Sequence, residues 1–215
     1  MLTNQSVKLT NRLVETSRER LLAAAAAEFA ARGFAGANVD RIARAARVNK
    51  AMIYYHFKSK AALYREILRE MFAAVAARVA AVEASEAEPA DKVRAFVEAI
   101  ATAAEARPHF PPIWFREIAE GGAHLDAGTL AHVTAVVKTL GRIVQEGHSR
   151  GCFERTNPML IHAGIIGPLL LYFASGPMRK RLASAGVPGV AALSRDTVVA
   201  HVQRVAVTAL QGHGV

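Results

Sequence analysis

The sequence predicts an all-α protein: an N-terminal three-helix head built on a helix-turn-helix, followed by a larger C-terminal helical domain. Three observations lead there. Apolar residues recur at helical spacing along most of the chain, in alanine-rich segments with few β-branched runs. Residues 38–68, NVDRIARAARVNKAMIYYHFKSKAALYREIL, place two short helical patterns on either side of a tight turn, with a third beginning at Ser59. Charge is uneven: residues 1–60 hold eleven Lys and Arg against four Asp and Glu, a net +7, while the whole chain of 215 residues carries +9.

The elements follow in order. Residues 1–14 have no clear pattern, and residues 1–15 are expected to be a flexible arm that carries Lys8 and Arg12. Thr16 or Ser17 caps a first helix running to about Arg32, with Leu21, Leu22, Ala25 and Phe29 inward and Gly33 as its stop. Asn38 caps the next helix, whose inward stripe is Ile42, Ala43 and Ala46. Val48 plugs the turn and Asn49 caps the following helix, where Ile53 and Phe57 share one face at i and i+4. A longer helix over 59–83 turns Leu63, Ile67, Met71 and Val75 to one side and links head to body.

Beyond a break at 86–89, a helix is expected over 90–106, with Val93, Phe96, Val97 and Ile100 inward. Pro108, Pro111 and Pro112 interrupt it, and a short helix over 112–120 ends at Gly121-Gly122. A long helix spans about 125–147. Pro158 opens another that runs to about Ser175. Residues 176–193 read as an irregular segment with the basic run Arg179-Lys180-Arg181, before a last helix over about 195–211. The domain boundaries are expected at 16–62 for the head and 63–215 for the body.

In a helix-turn-helix the start of the second helix meets base edges in the major groove, while neighbouring residues hold phosphates. Lys50, Ala51 and Met52 open that helix: Lys50 reaches a guanine edge or a phosphate, and Ala51 allows close backbone approach. Tyr54, Tyr55 and His56 supply hydroxyl and imidazole donors. The basic excess lies in the same segment, as a phosphate-binding surface requires. Duplex DNA is the implied partner.

The run Asn38 to Leu63, with its IA..A..V, IYYHF and KSK..L parts, resembles the signature of the TetR family of transcriptional regulators. The resemblance implies a homodimer that couples a DNA-binding head to a ligand-binding and dimerisation domain, most often as a repressor of a palindromic operator, while the single cysteine, the polar N-terminus and the short apolar runs lead to the expectation of a cytoplasmic protein. It also implies phosphate contacts from Tyr54, Tyr55, His56 and Lys60, with Lys50, Ala51 and Met52 at the groove and Asn38, Arg47 and Asn49 framing the turn. The chain departs from the family pattern at three places: Arg47 stands where glycine is usual, Asn49 where serine or threonine is, and Ala51-Met52 where Gly-Thr is.

Helices 158–175 and 195–211 are apolar on more than one side, and a partner subunit is the economical cover for them. Burial of both in a monomer core is the alternative. A pocket for a hydrophobic or aromatic small molecule is implied within residues 65–175, with Phe72, Phe96, Phe110, Trp114, Phe115, Ile118, His162 and Tyr172 as candidate lining. Taken one at a time, the same aromatics read more readily as plain core. No enzymatic motif is present: there is no phosphate-cradling glycine loop, nucleophile elbow or paired-carboxylate motif, and no cofactor is expected. His148 and Cys152, at i and i+4, are the one spacing that suggests a metal-responsive variant, although Gly147 and Gly151 bracket them. A ligand-independent DNA-binding factor with the same head is the other alternative. A single cysteine excludes an internal disulfide and fits a reducing compartment. The longest apolar run, 164–175, is too short to span a bilayer.

Overall fold

The computed structural model describes the backbone of residues 4–212 and side chains from residue 16. Within those residues it is all-helical, with ten helices. The side chains of Lys8 and Arg12, and residues 1–3 of the expected arm, lie outside the described residues.

Helix α1 spans Asn4–Gly36, so helical backbone begins well before the expected cap at Thr16 or Ser17. Its run is broken at Gly33, whose φ of 68° and ψ of 177° no helix contains, at the position expected to stop it. α2 (Val39–Ala46), α3 (Ala51–Phe57) and α4 (Lys60–Glu83) follow as expected. α5 (Pro89–Ala106) begins on Pro89, which the sequence reading had left in the break; a first-turn proline loses no helical hydrogen bond. α6 (Phe110–Ala119) begins two residues before the expected start at 112, so that Pro111 joins Pro112 in its first turn. α7 is Ala127–Ser149 and α8 is Pro158–Ala174, with Asn157 capping α8 by accepting from Met159 N.

Residues 176–184 were expected to be irregular and form a helix, α9 (Gly176–Ser184). Pro177 again occupies a first-turn position, and Arg179 ties the helix back, with its guanidinium 3.9 Å above the Tyr172 ring and donating to Tyr172 O. α10 is Arg195–Gln211, capped by Ser194 Oγ, which accepts from Thr197 N.

The chain forms two compact units. The first comprises residues 1–70 and 112–126, and the second residues 71–111 and 127–215. The first is larger than the 16–62 head read from the sequence, because it adds the start of α4 and most of α6 with its following turn. Its core is Leu21, Phe29, Ile42, Ile53, Leu63, Leu68 and Ile113, each with almost no exposure. Phe29, Phe34 and Tyr64 form an aromatic cluster, with the Phe29 and Tyr64 rings 4.7 Å apart, edge to face.

The second unit packs α5, α7, α8 and α10 against one another. Its core includes Val79, Phe96, Val97, Leu140, Ile143, Ile165, Leu169 and Leu210. Ionic links tie its helices, among them Lys92 to Glu146, Arg142 to Glu83, and Arg195 to Glu98. In the last two, hydrogen bonding to the arginine holds the glutamate below the ordinary carboxylate range. No helix among the described residues is long and apolar enough to cross a membrane.

Candidate nucleic-acid interface

The turn between α2 and α3 is built from three side-chain and backbone devices. Asn38, in extended conformation, accepts from Asp40 N at 2.7 Å and starts α2. Arg47 ends it in the left-handed region, at φ 55° and ψ 46°. Val48 N then donates to Ala43 O, closing the helix in the manner of a glycine terminator. The departure from glycine at this position is therefore met by a strained arginine, at a cost of roughly 1–2 kcal/mol. Asn49 Oδ1 accepts from Ala51 N at 2.8 Å and opens α3, although Asn49 precedes the helix by two residues.

α3 is anchored by Ile53 and Phe57, both buried. Its remaining faces are thereby turned away from the core. Ala51 and Tyr54 are exposed, Tyr55 is 62% exposed, and Met52 is half-buried. Lys50 spans the turn to Asp40, 2.9 Å away, and this hydrogen bond pushes its pKa up, so the ammonium keeps its charge. Arg44, Arg47 and Lys58 are exposed in the same stretch. Arg44 and Lys58 were not among the residues picked from the sequence, and the signal that could have found them is the +7 charge of the segment.

Two residues expected at the phosphates are turned inward. His56 is half-buried, with Nε2 2.9 Å from Ser17 Oγ. Desolvation, followed by the charge of Arg18, pushes its pKa down. Lys60 Nζ donates to Phe34 O at 2.9 Å and Ala37 O at 3.2 Å, and lies 4.6 Å from the Phe34 ring centre. Two of its three N–H groups thus serve the end of α1. Arg41 works alongside, binding Glu28 and donating to Gly36 O.

The first unit also holds a buried polar group. Glu117 on α6 is fully buried and accepts from Tyr64 OH at 3.1 Å and from His124 N at 2.7 Å. Burial and the neighbouring Glu117 charge push the Tyr64 hydroxyl pKa well up. Arg116, next in sequence, donates to Ala30 O and Ala31 O of α1.

The eight candidate ligand residues divide between the units. Phe72, Phe96 and Phe110 are buried in the second, with Phe72 and Phe110 edge to face at 5.3 Å. His162 and Tyr172 are half-buried there, and burial pushes the His162 pKa down. Trp114, Phe115 and Ile118 belong to the first unit, where Phe115 and Ile118 are exposed. The His148–Cys152 spacing does not fall on a helix, because α7 ends at Ser149; His148 Nδ1 meets Phe153 O at 3.2 Å.

Comparison with known proteins agrees with this geometry. Residues 21–67 match the family model described as bacterial regulatory proteins, tetR family. The HTH-type transcriptional repressor NicS of Pseudomonas putida is 28% identical over 161 residues, covering 74% of this chain and 76% of its own. The crystal structure of the putative transcriptional regulator SCO4942 from Streptomyces coelicolor is 27% identical, with a TM-score of 0.63, over 88% of this chain and 97% of that one. A tetR-family regulatory protein from Rhodococcus RHA1, 19% identical, shares the fold at a TM-score of 0.73 over 90% and 96% of the two chains. Residues 21–67 thus carry the tetR-family regulatory segment, and the chain as a whole is similar in fold to transcriptional regulators of that family.

Proposed function

We propose that the chain is a homodimeric, cytoplasmic repressor that binds a palindromic operator through α3 and is released by a small, hydrophobic or aromatic ligand. The observation that carries the DNA reading is the start of α3. Asn49 fixes its first turn, Ile53 and Phe57 hold it from behind, and Ala51, Tyr54 and Tyr55 are left outward among exposed cations. Residues 16–62 act as the DNA-binding domain and residues 63–215 as the ligand-binding and dimerisation domain. Asn38, Arg47, Asn49, Lys50, Ala51, Met52, Tyr54 and Tyr55 form the DNA surface, with Arg44 and Lys58 added as phosphate partners and with His56 and Lys60 supporting it from within. The chain acts by binding, without catalysis.

Two observations support dimerisation through α8 and α10. Leu160 is 68% exposed, and Leu171 on the same helix and Val205 on α10 are also open. Gly164 and Gly167, between those leucines, have no atom within 4 Å of where a Cβ would stand, so a partner helix can approach there. A two-fold protein presents its recognition helices to half-sites about one helical turn or a multiple apart.

The effector binds among Phe72, Phe96, Phe110, His162 and Tyr172 and displaces α4, which is continuous through Glu70 and Met71. Coupling of this kind typically amounts to about 1–3 kcal/mol. Fluorescence anisotropy with duplexes from upstream of the chain's own gene, random duplex as competitor and two salt concentrations tests the reading. Competitor-resistant binding of a palindrome by two chains supports it. Weak binding that random duplex competes away equally overturns it.

A further inference from the structure

We propose that Glu117, Glu120 and His124 form a binding site for a divalent transition-metal cation, of which Zn2+ is the type. One carboxylate oxygen from each glutamate and Nδ1 of the histidine lie within 4.8 Å of one another. Nδ1 is 3.1 Å from Glu117 Oε2 and 3.7 Å from Glu120 Oε2. A cation bonded to nitrogen and oxygen at about 2.0–2.2 Å requires donors roughly 3–4 Å apart, so little side-chain rotation closes the set.

The backbone holds this arrangement in place. Glu117 and Glu120 are one helical turn apart, at the end of α6 and just beyond it. Gly121 and Gly122, with φ of 71° and 76°, then reverse the chain in a conformation that other residues rarely adopt. The reversal is closed by Gly122 N donating to Glu117 O at 2.8 Å, and it brings His124 back over the Glu117 carboxylate. The imidazole is held by the Phe34 ring, 4.3 Å away, and the Tyr64 ring, 5.1 Å away.

A second observation points to a cation. Glu117 has no exposure, and its printed partners are a phenol, a backbone N–H and the His124 ring. No lysine or arginine among the described residues forms an ion pair with it; Arg116 is directed to carbonyls of α1. A buried carboxylate whose partners are hydrogen-bond donors and one imidazole is held less strongly than one opposite a full positive charge, and a divalent cation supplies that charge. Glu120 is 47% exposed and leaves the site open on one side for entry and for water ligands.

Donor chemistry selects the class of ion. One imidazole with two carboxylates suits Zn2+, Mn2+, Fe2+ or Co2+, whereas Ca2+ prefers oxygen alone and Cu+ prefers thiolate. Tyr64 OH donates to the Glu117 oxygen that faces Nδ1 and so orients the carboxylate, as outer partners of metal ligands do. Nδ1 faces carboxylate oxygens on both sides, so it holds its hydrogen toward them in the free protein. On binding, the cation takes the place of that hydrogen and the neutral ring carries its hydrogen on Nε2 instead. The site is separate from His148 and Cys152 and goes beyond the repressor reading.

The test uses the untagged full chain, stripped with chelator, with Co2+ as the spectroscopic probe and Zn2+ titrated by calorimetry. One equivalent of Co2+ per chain is expected to bind with visible ligand-field absorption and to be displaced by Zn2+. Glu120→Gln, at an exposed position, should weaken binding at least tenfold. His124→Phe, which keeps a ring against Phe34, should abolish the absorption, while Cys152→Ala should leave it unchanged. Circular dichroism of each variant confirms that it folds. Absence of saturable binding, or binding that survives both Glu120→Gln and His124→Phe, overturns the proposal. The readout contains no DNA, so its failure is distinct from failure of operator binding.

Discussion

The two units of this chain solve the same packing problem with different currencies of interaction. The first is small, and the two helices of its helix-turn-helix are short: α2 has eight residues and α3 seven, lengths that are marginal without tertiary support. It compensates with local polar devices. Asn38 and Asn49 cap, Lys60 closes the end of α1, and Arg18 joins α1 to α4 through Glu66 and Glu70. The second unit has longer helices, α5, α7, α8 and α10, and relies on apolar contact. Its exposed leucines on α8 also show that a helix can carry more apolar surface than its own chain covers. A head that must present a fixed set of groups to a ligand of fixed geometry needs specific residues at specific places. A body that must only pack tolerates many.

The largest test of this contrast is in the second unit. Phe96 has no exposure, so Phe96→Ala should remove about 3–5 kcal/mol from unfolding in urea. If the cost is below 1 kcal/mol, the second unit is not organised around that ring. Leu160→Glu should leave the fold intact but convert a dimer into a monomer in sedimentation and weaken operator binding by at least tenfold. A dimer that persists would move the interface off α8.

Lys60→Met separates two roles. As a cap on α1, Lys60 should contribute about 1.5–3 kcal/mol to stability, with little change in the salt dependence of DNA binding. As a phosphate contact it would lower the salt slope by about 1 instead. Arg47→Gly relieves the left-handed residue at the turn and should raise the stability of the head by about 1 kcal/mol, read from thermal unfolding. An unchanged or lower melting point would mean that the arginine is not strained there.

The smallest effect concerns pH. Burial lowers the His56 pKa from its ordinary 6.5, so the unfolded chain takes up a proton there before the folded head does. Stability from this group is full above pH 6.5 and declines as pH falls from there toward the depressed value. His56→Gln should flatten that part of the pH profile, and an unchanged slope would assign it to another group.

How far the sequence reaches is visible in single residues. Asn38, Asn49, Ile42, Ile53 and Phe57 could be placed from spacing alone, because caps and inward faces are decided within a few residues of backbone. The stop at Gly33 is legible for the same reason. The helix α9 was not: a proline and a glycine read as breakers unless it is known that they occupy a first turn and that the Tyr172 ring at the end of the preceding helix holds Arg179.

His56 and Lys60 show a second limit. Their residue types suit a phosphate, but their directions depend on Ser17 and on the carbonyls of Phe34 and Ala37, some 20 to 40 residues earlier. The Glu117 group is the furthest from reach, since Tyr64 lies 53 positions away and His124 returns only through a reversed turn. The sequence by itself therefore determined the helical class, the helix-turn-helix and its caps, because these depend on local backbone geometry and periodicity. Only the tertiary structure decided which polar side chains face solvent and which are enclosed, because burial is set by what distant segments place around them.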